Sequence, residues 1–177
     1  EVESEVGRGS TFAFTAPFSL QTPPRLKDQS FAESESSAPH KTGSKLQILV
    51  AEDNLYNQKV AIGLLNRRGH SVTVANDGQE VLDLTRKIVF DAVFMDLQMP
   101  AKDGLETTRE LRLREQGTDH RLHIIGLTAH AMEGDRQRCL DAGMDDYVTK
   151  PIRQQELDLA LTAAYSAAMA AKTHSPE

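Results

Sequence analysis

The sequence predicts an α/β fold: a five-stranded, mostly parallel sheet with helices on both faces. Three observations carry that prediction. From Lys45 onward, short apolar runs alternate five times with amphipathic stretches, the pattern of repeated β-α-β units. The first, third and fourth runs, "LQILVAE", "FDAVFMD" and "LHIIGLTA", are nearly continuously apolar, as strands covered on both faces are. Right-handed crossovers then set helices on either side. Finally, the residues with chemical potential gather at the ends of these runs, where open parallel sheets bind their ligands.

The elements follow in order. Residues 1–18, "EVESEVGRGSTFAFTAPF", read as a Gly-flanked turn and one strand, with Phe12 and Phe14 alternating with Thr11, Ala13 and Thr15. A lone strand leaves its ladder bonds unmade, so its partner is expected outside the main domain. Residues 19–45 are rich in Ser, Pro, Gln and charge. They bury too little apolar surface to offset ordering and read as a flexible linker. The main domain is expected over 46–168. After its first strand, "NQKVAIGLLNRRG" places Val60, Ala61, Leu64 and Leu65 on one helical face and stops at Gly69. "HSVTVAN" is the second strand, and "GQEVLDLTRKI" a helix aligning Val81, Leu84 and Ile88. The third strand, "FDAVFMD", leads to the helix "GLETTRELRLREQG", and the fourth, "LHIIGLTA", to "EGDRQRCLDAG". "DDYVTKP" is the fifth strand. The last helix turns Leu157, Ala160, Leu161 and Ala164 inward, its alanine-rich end is expected to fray beyond Tyr165, and 169–177 form a disordered tail.

Bulk properties bound the function. A chain of 177 residues holds one full domain with extensions. A formal charge of -6 and a pI near 5.5 provide no basic footprint for nucleic acid. The single cysteine, Cys139, forms no internal disulfide, so a reducing, cytoplasmic setting is expected. Cys139 and Met95, Met99, Met132 and Met144 read as packing residues. No stretch has the length of a membrane span, so no direct membrane contact is expected of this segment. It starts without methionine and reads as part of a larger protein, which an inner-membrane anchor could hold.

The strand ends are chemically dense. Strand one ends in Glu52-Asp53, strand three in Asp96, strand four in Thr128 and strand five in Lys150. Taken singly, each has a plain explanation as a cap, a solvated acid or a surface lysine. Jointly, they bring three carboxylates, a hydroxyl and an ammonium to one crevice. Carboxylates that close repel one another, and a hard divalent cation removes the conflict. Magnesium suits a few carboxylates plus waters and phosphate oxygens, with manganese an acceptable substitute. Asp96 could then attack phosphorus as a nucleophile, with Lys150 and Thr128 holding phosphoryl oxygens.

At this density a resemblance is plain. "ILVAEDNLYNQKVA", "DAVFMDLQMPAKDGLE" and "IIGLTAHAMEGDRQRCLDAGMDDYVTKPI" resemble the receiver domains of two-component phosphorelay proteins, above all those attached to hybrid sensor histidine kinases. The resemblance implies a flavodoxin-like (βα)5 fold with strand order 2-1-3-4-5. It implies that Asp96 is the phosphoacceptor and that Glu52, Asp53, Asp96 and the backbone carbonyl of Gln98 hold the metal. Thr128 and Lys150 match the switch hydroxyl and the phosphate-binding lysine, and Tyr147 the aromatic that moves with Thr128. Lys150-Pro151 matches a bond usually cis in this family. Lys102 departs from the family, which usually carries Met there.

The implied partners are the phosphorylated domain of a histidine kinase and a histidine phosphotransfer protein, docking on the first helix through Tyr56, Asn57 and Val60. "EVGRGSTFAFTAPF" resembles the last glycine box and closing strand of a kinase ATP-binding domain. The rest of that domain and the kinase histidine are absent from the segment; His130 reads as a loop residue. The segment is therefore not expected to transfer phosphate from ATP, while the receiver would catalyse its own phosphorylation and dephosphorylation. Two competitors share the fold or the nucleophile. FMN binding would need a hydroxyl-rich loop where "AEDNLYN" offers two acids, and an Asp-dependent phosphatase would want a second acid at Gln98. A different class of role, regulation by binding a kinase domain, also remains open.

Overall fold

The computed structural model describes residues 2–5, 9–12, 45–118, 121–129 and 133–173. Phe14, the linker over 19–44, His130, Met132 and the tail from 174 lie outside the described residues. The chain divides into two compact units, Glu1–Ser37 and Ala38–Glu177.

In the first unit, strand β1 (Val2–Glu5) pairs antiparallel with β2 (Gly9–Phe12), Val2 facing Phe12 and Glu5 facing Gly9. The expectation of a single strand over 1–18 is thereby corrected, while its partner lies outside the main domain as expected. Its partner is the acid-rich stretch just upstream, which lacks the apolar alternation that flags a strand. Gly9 has φ +97°, a left-handed backbone that glycine adopts without strain.

The second unit holds β3 (Gln47–Ala51), α1 (Leu55–Arg67), β4 (Ser71–Ala75), α2 (Gly78–Leu84), β5 (Ala92–Asp96), α3 (Gly104–Glu115), β6 (His123–Thr128), α4 (Glu133–Ala142), β7 (Asp146–Thr149) and α5 (Gln154–Thr173). The strands lie in the order β4-β3-β5-β6-β7 and all pair in parallel. Numbered within the sheet, this is the expected 2-1-3-4-5. β5 is buried at every position, which accounts for its unbroken apolar run. At the edge, β4 mixes Ser and Thr with Val and stays half-exposed over most of its length.

Alternate strand residues divide the core in two. Ile48, Val50, Phe94 and Ile125 pack with Ala61 and Leu65 of α1 and with Leu157, Ala160, Leu161 and Ala164 of α5. On the other face Leu49, Val93, Met95 and Ile124 pack with Val81, Leu111 and Cys139 of α2, α3 and α4. Cys139, Met95 and Met144 are buried as expected, with Met99 partly so.

Three helix boundaries differ from the sequence expectation. α1 starts at Leu55 because the Asn54 side chain accepts from the amides of Tyr56 and Asn57, a regular N-cap. Val60 is 38% exposed and Gln58 buried, so Val60 leaves the inner face assigned to it. α2 ends at Leu84, whose following turn leaves Ile88 41% exposed instead of aligned with Val81. α5 continues to Thr173, with Ala168 still in the core, past the expected fraying point at Tyr165. No described helix is long and apolar enough to cross a membrane.

Candidate functional site

Parallel strands in register end together, and here their carboxyl ends bring the expected residues to one cleft. Asp96, the last residue of β5, faces Leu127 across the sheet, and Thr128, the last of β6, faces Thr149. Glu52 and Asp53 follow β3, and Lys150 follows β7. Oxygens of Glu52, Asp53 and Asp96 lie within 4.8 Å of one another. Glu52 and Asp96 are buried, whereas Asp53 opens to solvent.

Lys150 reaches across the sheet to both buried acids. Its Nζ donates to Glu52 Oε2 at 2.5 Å and to Asp96 Oδ2 at 2.6 Å. The Lys150-Pro151 bond is cis. The other oxygen of Asp96 accepts the Gln98 amide at 3.2 Å, an arrangement in which Gln98 turns past the acid beside the cleft. Burial pushes the Asp96 carboxyl above its ordinary range, against the pull of Lys150 and the Gln98 amide. Burial alone would depress Lys150, but the two carboxylates overcome it and hold its pKa above the ordinary value. Three carboxylates thus meet one ammonium, an excess of negative charge that a divalent cation would offset. The donor set, all oxygen with one open acid, fits a hard cation.

Local structure holds these groups in place. Asp103 caps α3 by accepting the Glu106 amide at 2.7 Å, and this fixes the loop after Asp96. Gly104 approaches the backbone there so closely that an added Cβ would collide with the Asp96 carbonyl and sit 2.9 Å from Met95 Cγ. Lys102, the departure from the family pattern, turns away from the acids and forms ion pairs with Glu106 and Glu110 of α3.

The other residues singled out in the sequence differ in burial. Tyr147 is partly buried against the second core cluster. Tyr56 is 75% exposed beside the cleft, with Val60 one helical turn on. Asn57 is half-buried and also belongs to the acidic site: its Nδ2 donates to Glu52 Oε1 at 2.9 Å.

Sequence reasoning missed four residues around this cleft. The Asn54 amide donates to Glu52 Oε1 at 3.3 Å, and buried Gln58 donates to the Glu52 carbonyl at 2.6 Å. Asp135 Oδ2 lies 3.5 Å from Thr128 Oγ1, with Arg138 Nη1 3.2 Å from the other Asp135 oxygen. Signal for the first pair was present, since polar residues in the first turn of a helix that follows an acidic strand end can reach back to it. Nothing local marked Asp135, which is one acid among several in a polar helix.

Comparison with known proteins agrees with this geometry. The family model for the response regulator receiver domain matches residues 48–162. Hybrid signal transduction histidine kinase K of Dictyostelium discoideum is 37% identical over 165 residues, or 88% of this chain, while the chain spans 13% of that kinase's length. The receiver domain of sensor histidine kinase PA1611 from Pseudomonas aeruginosa, solved with magnesium in its active-site cleft, is 40% identical with a TM-score of 0.63. That match covers 70% of this chain and 99% of that one. The receiver domain of Saccharomyces cerevisiae Ssk1, solved with the histidine phosphotransfer protein Ypd1, is 29% identical with a TM-score of 0.64, covering 69% of this chain and 90% of that one.

Proposed function

This chain belongs to the response regulator receiver domain family, and from that premise we propose that it is the phosphoacceptor of a hybrid histidine kinase phosphorelay. The observation that carries this reading is the buried Asp96 carboxylate at the end of the central strand, 2.6 Å from Lys150 and clustered with Glu52 and Asp53. Magnesium is the metal we assign, with Asp53, Asp96 and the Gln98 carbonyl as ligands and Glu52 assisting; manganese can take its place. When bound, the metal supplies positive charge for the phosphoryl oxygens.

The chain's own residues then divide the work. An Asp96 carboxylate oxygen forms a bond to phosphorus while the bond from phosphorus to the donor histidine nitrogen breaks, its electron pair staying on the imidazole. Lys150 moves from the Asp96 carboxylate to a phosphoryl oxygen, and Thr128 donates its hydroxyl to another. Drawing Thr128 inward lets Tyr147 follow, a switch biased by local charge. The acyl phosphate is then passed to a histidine phosphotransfer protein, docked on α1 through Tyr56, Asn57 and Val60. The Ssk1 complex with Ypd1 supports a partner of that class. The match to kinase K, longer than the receiver itself, supports reading the β1–β2 hairpin as the end of a kinase ATP-binding domain. The single, buried Cys139 supports a cytoplasmic setting.

Intact mass after incubation with acetyl phosphate tests the reading. We expect a magnesium-dependent gain of one phosphoryl group in the wild type and none in Asp96→Asn. No gain in a folded wild-type protein would favour the binding-only role instead.

A further inference from the structure

A chain of short hydrogen bonds runs from the first turn of α1 into the cleft. Asn57 Nδ2 donates to Glu52 Oε1 at 2.9 Å, Lys150 Nζ donates to Glu52 Oε2 at 2.5 Å, and the same Nζ donates to Asp96 Oδ2 at 2.6 Å. Glu52 is the middle of this chain and is 2% exposed. A buried carboxylate has few rotamers open to it, and donors on its two oxygens decide which one it takes. On its inner side it holds Lys150. On its outer side, the donors are the Asn57 amide and the Asn54 backbone amide at 3.3 Å. The Glu52 backbone is pinned separately by Gln58, whose Nε2 bonds its carbonyl at 2.6 Å and Asn76 Oδ1 at 3.0 Å. Asn57 is thus the side chain that sets the rotation of the Glu52 carboxylate, while Gln58 fixes where that carboxylate starts.

We propose that Asn57 is a positioning residue for Lys150, acting through Glu52, so that the α1 surface and the phosphoacceptor share one hydrogen-bonded chain. This rests on the phosphoacceptor reading and deepens it. A partner seated on α1 that holds the Asn57 amide against Glu52 keeps that carboxylate fixed, and the fixed carboxylate keeps Lys150 aimed at the incoming phosphoryl group. Docking and chemistry are then coupled within two side chains of each other, without a change in the fold.

The test uses the full chain with acetyl phosphate, a donor too small to need a docking surface. If Asn57 only touches partners, Asn57→Ala leaves this reaction alone. If it positions Lys150, acceptance slows by about tenfold, the effect of losing one orienting hydrogen bond. Lys59→Ala, exposed on the same helix, serves as the control and keeps the wild-type rate. A second readout needs no chemistry: the 15Nζ resonance of Lys150, assigned by its loss in Lys150→Arg, moves in Asn57→Ala and stays in Lys59→Ala. Should Asn57→Ala fail to fold, the isosteric Asn57→Asp decides, since it removes the donor and faces Glu52 with a like charge. An unchanged rate overturns the proposal, as does a slowed rate with an unmoved resonance. A wild type that accepts no phosphoryl group overturns the phosphoacceptor reading, while the resonance still reports on Asn57 and Lys150.

Discussion

His70 carries a buried imidazole outside the cleft and His123 a half-buried one, and both contribute to the acid side of the stability profile. The Leu46 amide donates to His70 Nδ1 at 3.3 Å, which requires that nitrogen's lone pair and hence a neutral ring. Burial holds both histidines below their ordinary value of 6.5, with Arg68 adding to the effect at His70. Between the folded pKa and 6.5 the unfolded chain binds more protons than the native one, so stability rises with pH there. The contribution is complete above 6.5 and is lost as pH falls through the folded values. Each ring supplies a slope of up to about 1.4 kcal/mol per pH unit. Urea unfolding at pH 7.5 and 5.5 measures the loss, and His70→Asn, which keeps an acceptor near Nδ1, is expected to remove about half of it. At this scale the sequence was informative about the acids, Thr128 and Lys150, because each ends an apolar run. It brought Lys150 and the acids to one crevice but not the direct bond of Lys150 to Glu52, 98 residues apart, which depends on side-chain geometry in the closed sheet.

Elements were legible where the apolar period ran cleanly and misread where a cap or turn decided the boundary. α5 kept its four inward residues, whereas α1 began two residues early because Asn54 caps it, and the apolar count could not register an asparagine. Ile88 matched the helical period of α2, yet the chain turns after Leu84 and leaves Ile88 and Val89 facing out. The loop between β5 and α3 is the element on which the cleft depends most. Gly104 allows the helix to approach the Asp96 carbonyl, so Gly104→Ala must push the helix and the strand end apart. Such overpacking costs about 1–3 kcal/mol, measurable by urea unfolding. The same variant is expected to weaken magnesium binding, because Gln98 lies on the displaced loop.

For the whole molecule, the excess of carboxylates in the cleft is expected to make the native fold a better cation binder than the unfolded chain. Magnesium at a hundred times its dissociation constant stabilises by about 2.7 kcal/mol, a rise of about 10 °C in Tm for a domain of this size. Scanning calorimetry with magnesium and then with excess EDTA measures the rise and its reversal. Asp53→Ala, which removes an exposed acid, is expected to abolish the rise without lowering the metal-free Tm. The class of the fold was readable because five repeats of one pattern reinforce one another. The β1–β2 hairpin was only half readable, because β1 has the composition of a solvated loop and becomes a strand by pairing. The sheet also acts as a partition. It separates the α1–α5 layer from the α2–α3–α4 layer so fully that neighbouring strand residues, such as Leu49 and Val50, answer to different neighbours. Substitutions such as Leu161→Ala in one layer and Leu111→Ala in the other are therefore expected to add in unfolding free energy, a sum that urea unfolding of the single and paired variants measures.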